Sequence, residues 1–199
     1  MKVKVKEGKK VKEFDFINSW EEVTLEKWVK MTDFGNTTKS EQAESTIALL
    51  SNMPKDMIKK LELSDVAAIM SAVGQLQQDQ KKGLKRIIEV EGKKYGFHPD
   101  LDSITLGEYA DLETYMKMGL EQNMPEVMAI LYRPILEQKE ELYTIEPYDG
   151  EIKMRAEVMR KMPAEQVQSA LVFFWVFVSE LLRIMPSSLM QQLKEMTAQ

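Results

Sequence analysis

The chain has 199 residues, of which 44% are hydrophobic and 30% are charged, and its formal net charge is −5. This balance excludes a disordered chain and indicates a globular protein of one or two domains with a substantial core. The lack of cysteine excludes disulfides, thiolate zinc sites and cysteine nucleophiles, and the mild acidity argues against a general nucleic-acid coat protein.

The first seventeen residues predict a basic β-hairpin. Val3 and Val5 alternate with lysines, residues 7–10 supply a turn, and residues 11–16 return. One interpretation is an arm that docks on an acidic surface or on nucleic-acid phosphates. The other is an edge hairpin whose lysines prevent edge-to-edge pairing. The candidate partner-binding residues of this hairpin are Lys2, Lys4 and Lys6.

Capping signals predict helices in the rest of the N-terminal half. Thr38 and Glu41 have the spacing of a capping box, in which each side chain accepts from the other residue's backbone N–H. Ser64 is expected to cap a longer helix, and glutamines make the end of that helix polar. A boundary between two units is therefore predicted near residues 81–85.

Residues 86–117 form the best-specified stretch of the sequence. Residues 87–97 predict a second hairpin with a turn at Gly92, because short alternating segments flank a residue that tolerates positive φ. A turn-rich linker follows, and Thr105 with Glu108 forms another capping box. The helix beyond it has one apolar face at helical spacing.

The order of hairpin, linker and helix recurs in the two halves. Residues 24–28 parallel residues 105–109, and the turn sequence Glu-Gly-Lys-Lys occurs in both hairpins. Three explanations are open: a duplicated unit, two hairpins that pair into one small sheet, or convergence on common capping chemistry.

The C-terminal third predicts further helices around one short strand. Asn123 and Glu126 are expected to cap a helix over residues 125–133. Residues 142–145 read as a strand, and residues 151–161 read as a helix. Together the patterns predict a mainly α fold with minor β (α+β), a helical bundle with one or two short β-hairpins near 2–17 and 86–97. Its units are 1–82 and 83–199, which either stand apart or pack as one.

The predicted helix over residues 163–185 carries the most apolar run of the chain. One interpretation is a buried core helix, and the other is a helix shared with another subunit, because a small domain rarely surrounds such a helix unaided. The run from 170 to 178 is too short for the ~20 residues of a transmembrane helix. Its candidate partner-binding residues are Val172, Phe173, Trp175, Val176 and Phe177.

Site chemistry has little support in the sequence. His98 is the sole histidine and is expected to make a structural hydrogen bond in the linker. Arg133 is expected to pair with Glu146 or Asp149 and so to tie a turn to a helix end. We predict no catalytic, cofactor-binding or metal-binding residues and no cofactor. A deep polar pocket that gathered His98, Arg133 and several carboxylates would instead favour an enzyme or a small-molecule binder.

Several motifs between residues 86 and 185 resemble a family of small proteins from tailed bacteriophages, including the crAss-like phages of Bacteroidetes. The motifs are Gly92-Lys93-Lys94-Tyr95-Gly96-Phe97, Ile104-Thr105-Leu106-Gly107-Glu108-Tyr109 with Asp111-Leu112-Glu113, Ile130-Leu131-Tyr132-Arg133-Pro134, residues 143–150, and Phe173-Phe174.

The resemblance implies a virion component or a tail-assembly factor without enzymatic activity. It implies contacts with other phage structural proteins, at the portal, ring or tail or as packaged cargo, and with copies of the protein itself. The location would be the virion, with the host cytoplasm as the site of assembly. An assembly chaperone absent from the mature particle is one alternative. A nucleic-acid-binding accessory protein that uses the lysine-rich hairpin is another, although no basic run interleaved with aromatics signals nucleic acid.

Overall fold

The computed structural model describes residues 2–7, 10–17, 19–33, 35, 37–78, 83–167 and 169–171, which form a mixed α+β fold, as predicted. The strands are β1 (Lys2–Glu7), β2 (Lys10–Asp15), β3 (Ile87–Val90), β4 (Lys93–Phe97), β5 (Tyr132–Lys139) and β6 (Leu142–Ile145). The helices are α1 (Leu25–Thr32), α2 (Lys39–Leu50), α3 (Lys55–Ile58), α4 (Leu63–Gln78), α5 (Leu106–Lys117), α6 (Met124–Leu131) and α7 (Ile152–Met159), and residues 164–167 and 169–171 are also helical.

Both predicted hairpins are present, and they lie in separate sheets. The strands β1 and β2 form a two-stranded antiparallel sheet. The β3–β4 hairpin belongs to a four-stranded antiparallel sheet with the order β3-β4-β5-β6. The explanation that the two hairpins pair into one sheet is therefore wrong. One-turn 3-10 helices at Trp20–Glu22 and Leu101–Ser103 stand between each hairpin and the helix that follows, and duplication of the unit stays a prediction.

The sheet contains a strand that the sequence predicted as helix. Helix α6 ends at Leu131, and β5 begins at the next residue, so the prediction of helix through Arg133 is wrong. Pro134 lies in β5, opposite Tyr95 of β4. Pro134 has no N–H to donate, but its carbonyl accepts from Glu146 N at 2.9 Å.

Threonine caps begin three of the helices, and two other predicted caps are wrong. The capping boxes Thr38–Glu41 and Thr105–Glu108 are both formed. Asn123 occupies the N-cap position of α6 without a capping hydrogen bond, and its side chain donates to Gly119 O instead. Ser64 does not cap α4, because that helix already begins at Leu63.

Two hydrophobic cores organise the described residues. The first core lies between the four-stranded sheet, α6 and α7, and the second lies between β1–β2 and α2–α4. Trp28 of α1 packs against both. No helix within the described ranges is long and apolar enough to cross a membrane.

A short antiparallel contact between residues 23–26 and 160–164 links the two cores. Ala164 N donates to Val23 O at 2.7 Å, and Leu25 N donates to Met162 O at 2.8 Å. Val23 and Ala164 belong to the second core, whereas Leu25, the first residue of α1, and Met162 belong to the first. We call this contact the inter-core ladder.

Candidate functional site

Three polar side chains meet in the interior beside the four-stranded sheet, and we call them the buried triad: His98, Glu108 and Arg133. Their side chains are 8%, 1% and 5% exposed, respectively. Arg133 Nη2 lies 2.7 Å from Glu108 Oε1, and His98 Nε2 lies 3.6 Å from the same oxygen. One carboxylate therefore faces two basic groups.

Local structure explains how each member reaches this place. Glu108 is the third residue of α5, where the capping box turns its carboxylate back: Oε2 accepts from Thr105 N and from Thr105 Oγ1, each at 2.7 Å. Arg133 lies in β5 directly opposite Gly96. His98 follows β4, and its backbone N–H donates to Leu131 O at 2.7 Å. The triad thus joins a helix start, a strand and a linker.

Burial sets the protonation of the triad. Desolvation lowers the pKa of His98, and the charge of Glu108 opposes this effect without reversing it. Desolvation also lowers the pKa of Arg133, again against the pull of Glu108. Because an arginine pKa starts so high, Arg133 remains a cation at neutral pH, and the lowered pKa of His98 favours its neutral form.

A second layer closes over the triad. The Tyr148 ring centroid lies 5.9 Å from Arg133 Cζ, and the Tyr148 hydroxyl donates to Asp111 of α5. The prediction that Arg133 pairs with Glu146 or Asp149 is wrong, because Arg133 turns inward to Glu108. The turn carboxylates instead face Arg155 of α7, which contacts Asp149 and lies 3.9 Å from Glu146 Oε2.

The triad therefore brings together side chains of the kinds that act in catalysis, but they are almost completely shielded from solvent. His98 and Arg133 do come together with a carboxylate, as the enzyme alternative required, but they pack in the interior and do not line an open cleft. Over the ranges that the structure describes, no group of three or more His, Cys, Asp or Glu side chains is placed to hold a metal ion. The arrangement fits a structural junction, and the structural hydrogen bond expected of the His98 side chain stays a prediction.

The candidate partner-binding residues fall at two places. Lys2, Lys4 and Lys6 occupy alternate positions of β1, opposite Asp15, Glu13 and Val11 of β2. Val172, Phe173, Trp175, Val176 and Phe177 lie outside the described residues, so their contacts stay predictions. The register of the hairpin does not decide whether these lysines form a docking arm or prevent edge-to-edge pairing.

Sequence reasoning missed one surface feature, which we call the outer hairpin (residues 136–142). Strand β5 pairs with β4 only from Tyr132 to Pro134, and its remaining length pairs with β6 alone. Every residue of the outer hairpin is exposed, including Leu136 at 59% and Leu142 at 78%. Two leucines in an otherwise polar stretch were the available signal.

Comparison of the chain with protein-family models, with curated protein sequences and with solved structures found no match in any of the three.

Proposed function

We propose that the protein is a non-enzymatic structural or assembly protein of a tailed bacteriophage, which acts in the virion through contacts with other phage proteins and with copies of itself. The phage assignment rests on the sequence resemblance over residues 86–185. The portal and tail region, or packaged cargo, is the place we propose for it. Assembly would occur in the host cytoplasm.

The proposed contact role rests on the exposed leucines of the outer hairpin. Leu136 and Leu142 present apolar surface on an element that is held at its base by the four-stranded sheet. Burial of an exposed leucine against a partner stabilises the complex by roughly 25 cal/mol per Å² of apolar area removed from water. Exposed apolar surface that is surrounded by polar residues is typical of protein–protein contact sites.

The buried triad supports the same role through rigidity. It fixes the start of α5 to β5 and to the linker, close to the base of the outer hairpin. A preorganised contact element loses less conformational entropy on binding than a disordered one. Catalysis would instead need these groups to reach a substrate.

Mass spectrometry of purified virions and of assembly intermediates tests the proposal. We expect the protein in mature particles. Detection in intermediates alone would favour the assembly chaperone, and absence from both would overturn the proposal.

A variant pair tests the contact surface. Leu136→Ser combined with Leu142→Ser should lower incorporation into particles roughly tenfold, since each leucine contributes on the order of 1 kcal/mol or more. Leu106→Ser is the matched control, because Leu106 is also a highly exposed leucine and lies on α5. Equal incorporation of the double variant and the control would exclude the outer hairpin as the contact surface.

The nucleic-acid alternative has its own test. If the protein binds DNA through β1, affinity should fall steeply with salt, and Lys2→Gln with Lys4→Gln and Lys6→Gln should abolish the binding. Under our proposal, DNA binding is negligible both for the wild-type protein and for this triple variant.

A further inference from the structure

An apolar groove lies on the outer side of the second core, and we call it the α2–α4 groove. Its volume is about 400 Å³, within the range of sites that hold large apolar groups. Ile47 of α2 and Ile58 of α3 are buried and form its floor. Leu63, the first residue of α4, stands at its edge and is 86% exposed.

The walls of the groove are apolar, and its rim carries two lysines and one glutamate. Ala43, Leu61 and Val66 are half-buried and continue the apolar lining. Lys39 and Lys59 are exposed at the rim, and Lys59 Nζ lies 4.0 Å from Glu44 Oε1. An occupant that fits is therefore apolar over most of its length and carries a carboxylate at one end.

The chain contains a segment with this chemistry. Residues 172–178 are Val-Phe-Phe-Trp-Val-Phe-Val, and Glu180 follows two positions later. In the helix that the sequence predicts over 163–185, the spacing of Phe173, Phe177 and Glu180 places two aromatic rings and one carboxylate on the same face.

The described chain ends beside the first core. Val167, Ala170 and Leu171 pack in or against the first core, whereas the floor of the α2–α4 groove belongs to the second core. The chain thus leaves the described residues at one core, and the groove opens beside the other.

We infer that the α2–α4 groove is a docking site for residues 172–180 of a second copy of this chain. This inference rests on the proposed function, because it names one of the protein's contacts with copies of itself. The rings of Phe173 and Phe177 fill the apolar groove, and Glu180 pairs with the rim lysines. Such a contact is heterologous, since different surfaces of the two copies meet, and its repetition builds a ring or a filament.

Matched leucine variants test the groove in the full-length purified protein by sedimentation velocity over a concentration series. Leu63→Glu should weaken self-association roughly tenfold or more, because it places a charge against the apolar occupant. Leu106→Glu is the control: Leu106 is likewise the first residue of its helix and is 83% exposed, outside the groove. Its effect should stay below about twofold. A wild-type protein that remains monomeric at all concentrations would overturn the inference.

Cross-linking identifies which copy docks, and the lack of native cysteine makes the experiment clean. A Leu63→Cys copy mixed with a Val176→Cys copy should form a disulfide-linked heterodimer on mild oxidation. A Leu106→Cys copy mixed with the same Val176→Cys copy should not. Equal cross-linking in the two mixtures would overturn the inference. So would an intrachain disulfide in a Leu63→Cys, Val176→Cys double variant, because it would show docking within one chain.

These outcomes are separable from the fate of the proposed function. Detection in virions depends on neither the groove nor the cross-link. A protein found in particles but monomeric in solution would retain the proposed function and lose this inference.

Discussion

Glu108 uses one carboxylate for two tasks, since Oε2 caps α5 and Oε1 faces Arg133. Glu108→Gln keeps an acceptor for the cap and removes the charge, which leaves a buried arginine without its counter-charge. We expect the free energy of unfolding to fall by about 3–5 kcal/mol, measured by urea denaturation followed by circular dichroism.

The exposed capping box supplies the control for this prediction. Thr38 and Glu41 form the same reciprocal hydrogen bonds as Thr105 and Glu108, but at the surface. Glu41→Gln should therefore leave the unfolding free energy almost unchanged. Similar losses from the two substitutions would show that the Arg133 contact contributes little.

His98 makes stability depend on pH in a defined direction. Desolvation lowers its pKa below the ordinary value of 6.5, and Glu108, Arg133 and Asp100 are the charged groups that act on it. The unfolded chain therefore takes up the proton first as the pH falls. The contribution of His98 is complete above pH 6.5 and is lost as the pH falls from 6.5 through the lowered pKa.

Denaturation at several pH values checks this dependence. Between pH 7 and pH 5 the wild-type protein should lose stability relative to His98→Gln, with a slope of at most about 1.4 kcal/mol per pH unit. The assignment is direct because the chain has no other histidine. Parallel curves for the two proteins would contradict the prediction.

At the scale of elements, β6 packs over β4 through a single glycine. A Cβ atom at Gly96 would lie 2.3 Å from Tyr143 Cε2 and 2.9 Å from Ile145 Cγ2. The ring that fills this place also directs its hydroxyl to Phe97 O, where it donates at 2.7 Å. Gly96 therefore determines how closely the outer strand approaches the sheet.

Gly96→Ala should destabilise the protein by about 1–3 kcal/mol, because Tyr143 must leave its rotamer or the strands must separate. Thermal unfolding measures the loss. Gly74→Ala is the control, since outside the backbone of α4 itself no atom of the described residues lies within 4 Å of the added methyl group, and α4 should gain roughly 0.5–1 kcal/mol. A neutral Gly96→Ala variant would mean that the β4–β6 contact is loose.

Gly96 also marks the limit of what local sequence patterns predict in this fold. Local signals found both hairpins, the two capping boxes and the strand at residues 142–145, because each depends on neighbours within about ten residues. Strand β5 was missed because it follows α6 without a turn residue and contains Pro134. Its partner β4 lies more than thirty residues earlier. A glycine inside a strand often indicates that another segment approaches closely, and Gly96 was such a signal in the sequence.

The buried triad was missed for the same reason. The sequence singled out Glu108 as a cap, His98 as a structural residue of the linker, and Arg133 as a partner of the turn carboxylates. Their meeting requires the pairing of Gly96 with Arg133, which no local pattern encodes. Long-range strand pairing therefore supplied both the missing strand and the missing cluster.

At the scale of the whole molecule, the inter-core ladder couples the two cores. Val23 and Leu25 lie two residues apart and enter different cores, as do Met162 and Ala164. Unfolding either core would pull a buried residue out of the other. We therefore expect a single cooperative transition in differential scanning calorimetry.

Two isoleucine substitutions check this coupling. Ile47→Val removes a methylene from the second core and Ile130→Val removes one from the first, and both residues are fully buried. Each should cost about 0.5–1.5 kcal/mol and lower the same Tm by a few degrees. Two peaks, with each variant moving only one of them, would contradict the coupling.

The ladder also bears on how the protein is made. Translation delivers Val23 and Leu25 early, but Ala164 and Met162 reach them only when the ribosome has passed position 164. Until then the nascent polypeptide carries two unfinished interiors, each missing its closing side chain. Final folding is thus deferred to late in synthesis, and cleavage between the halves leaves two fragments that each need the other to regain native order.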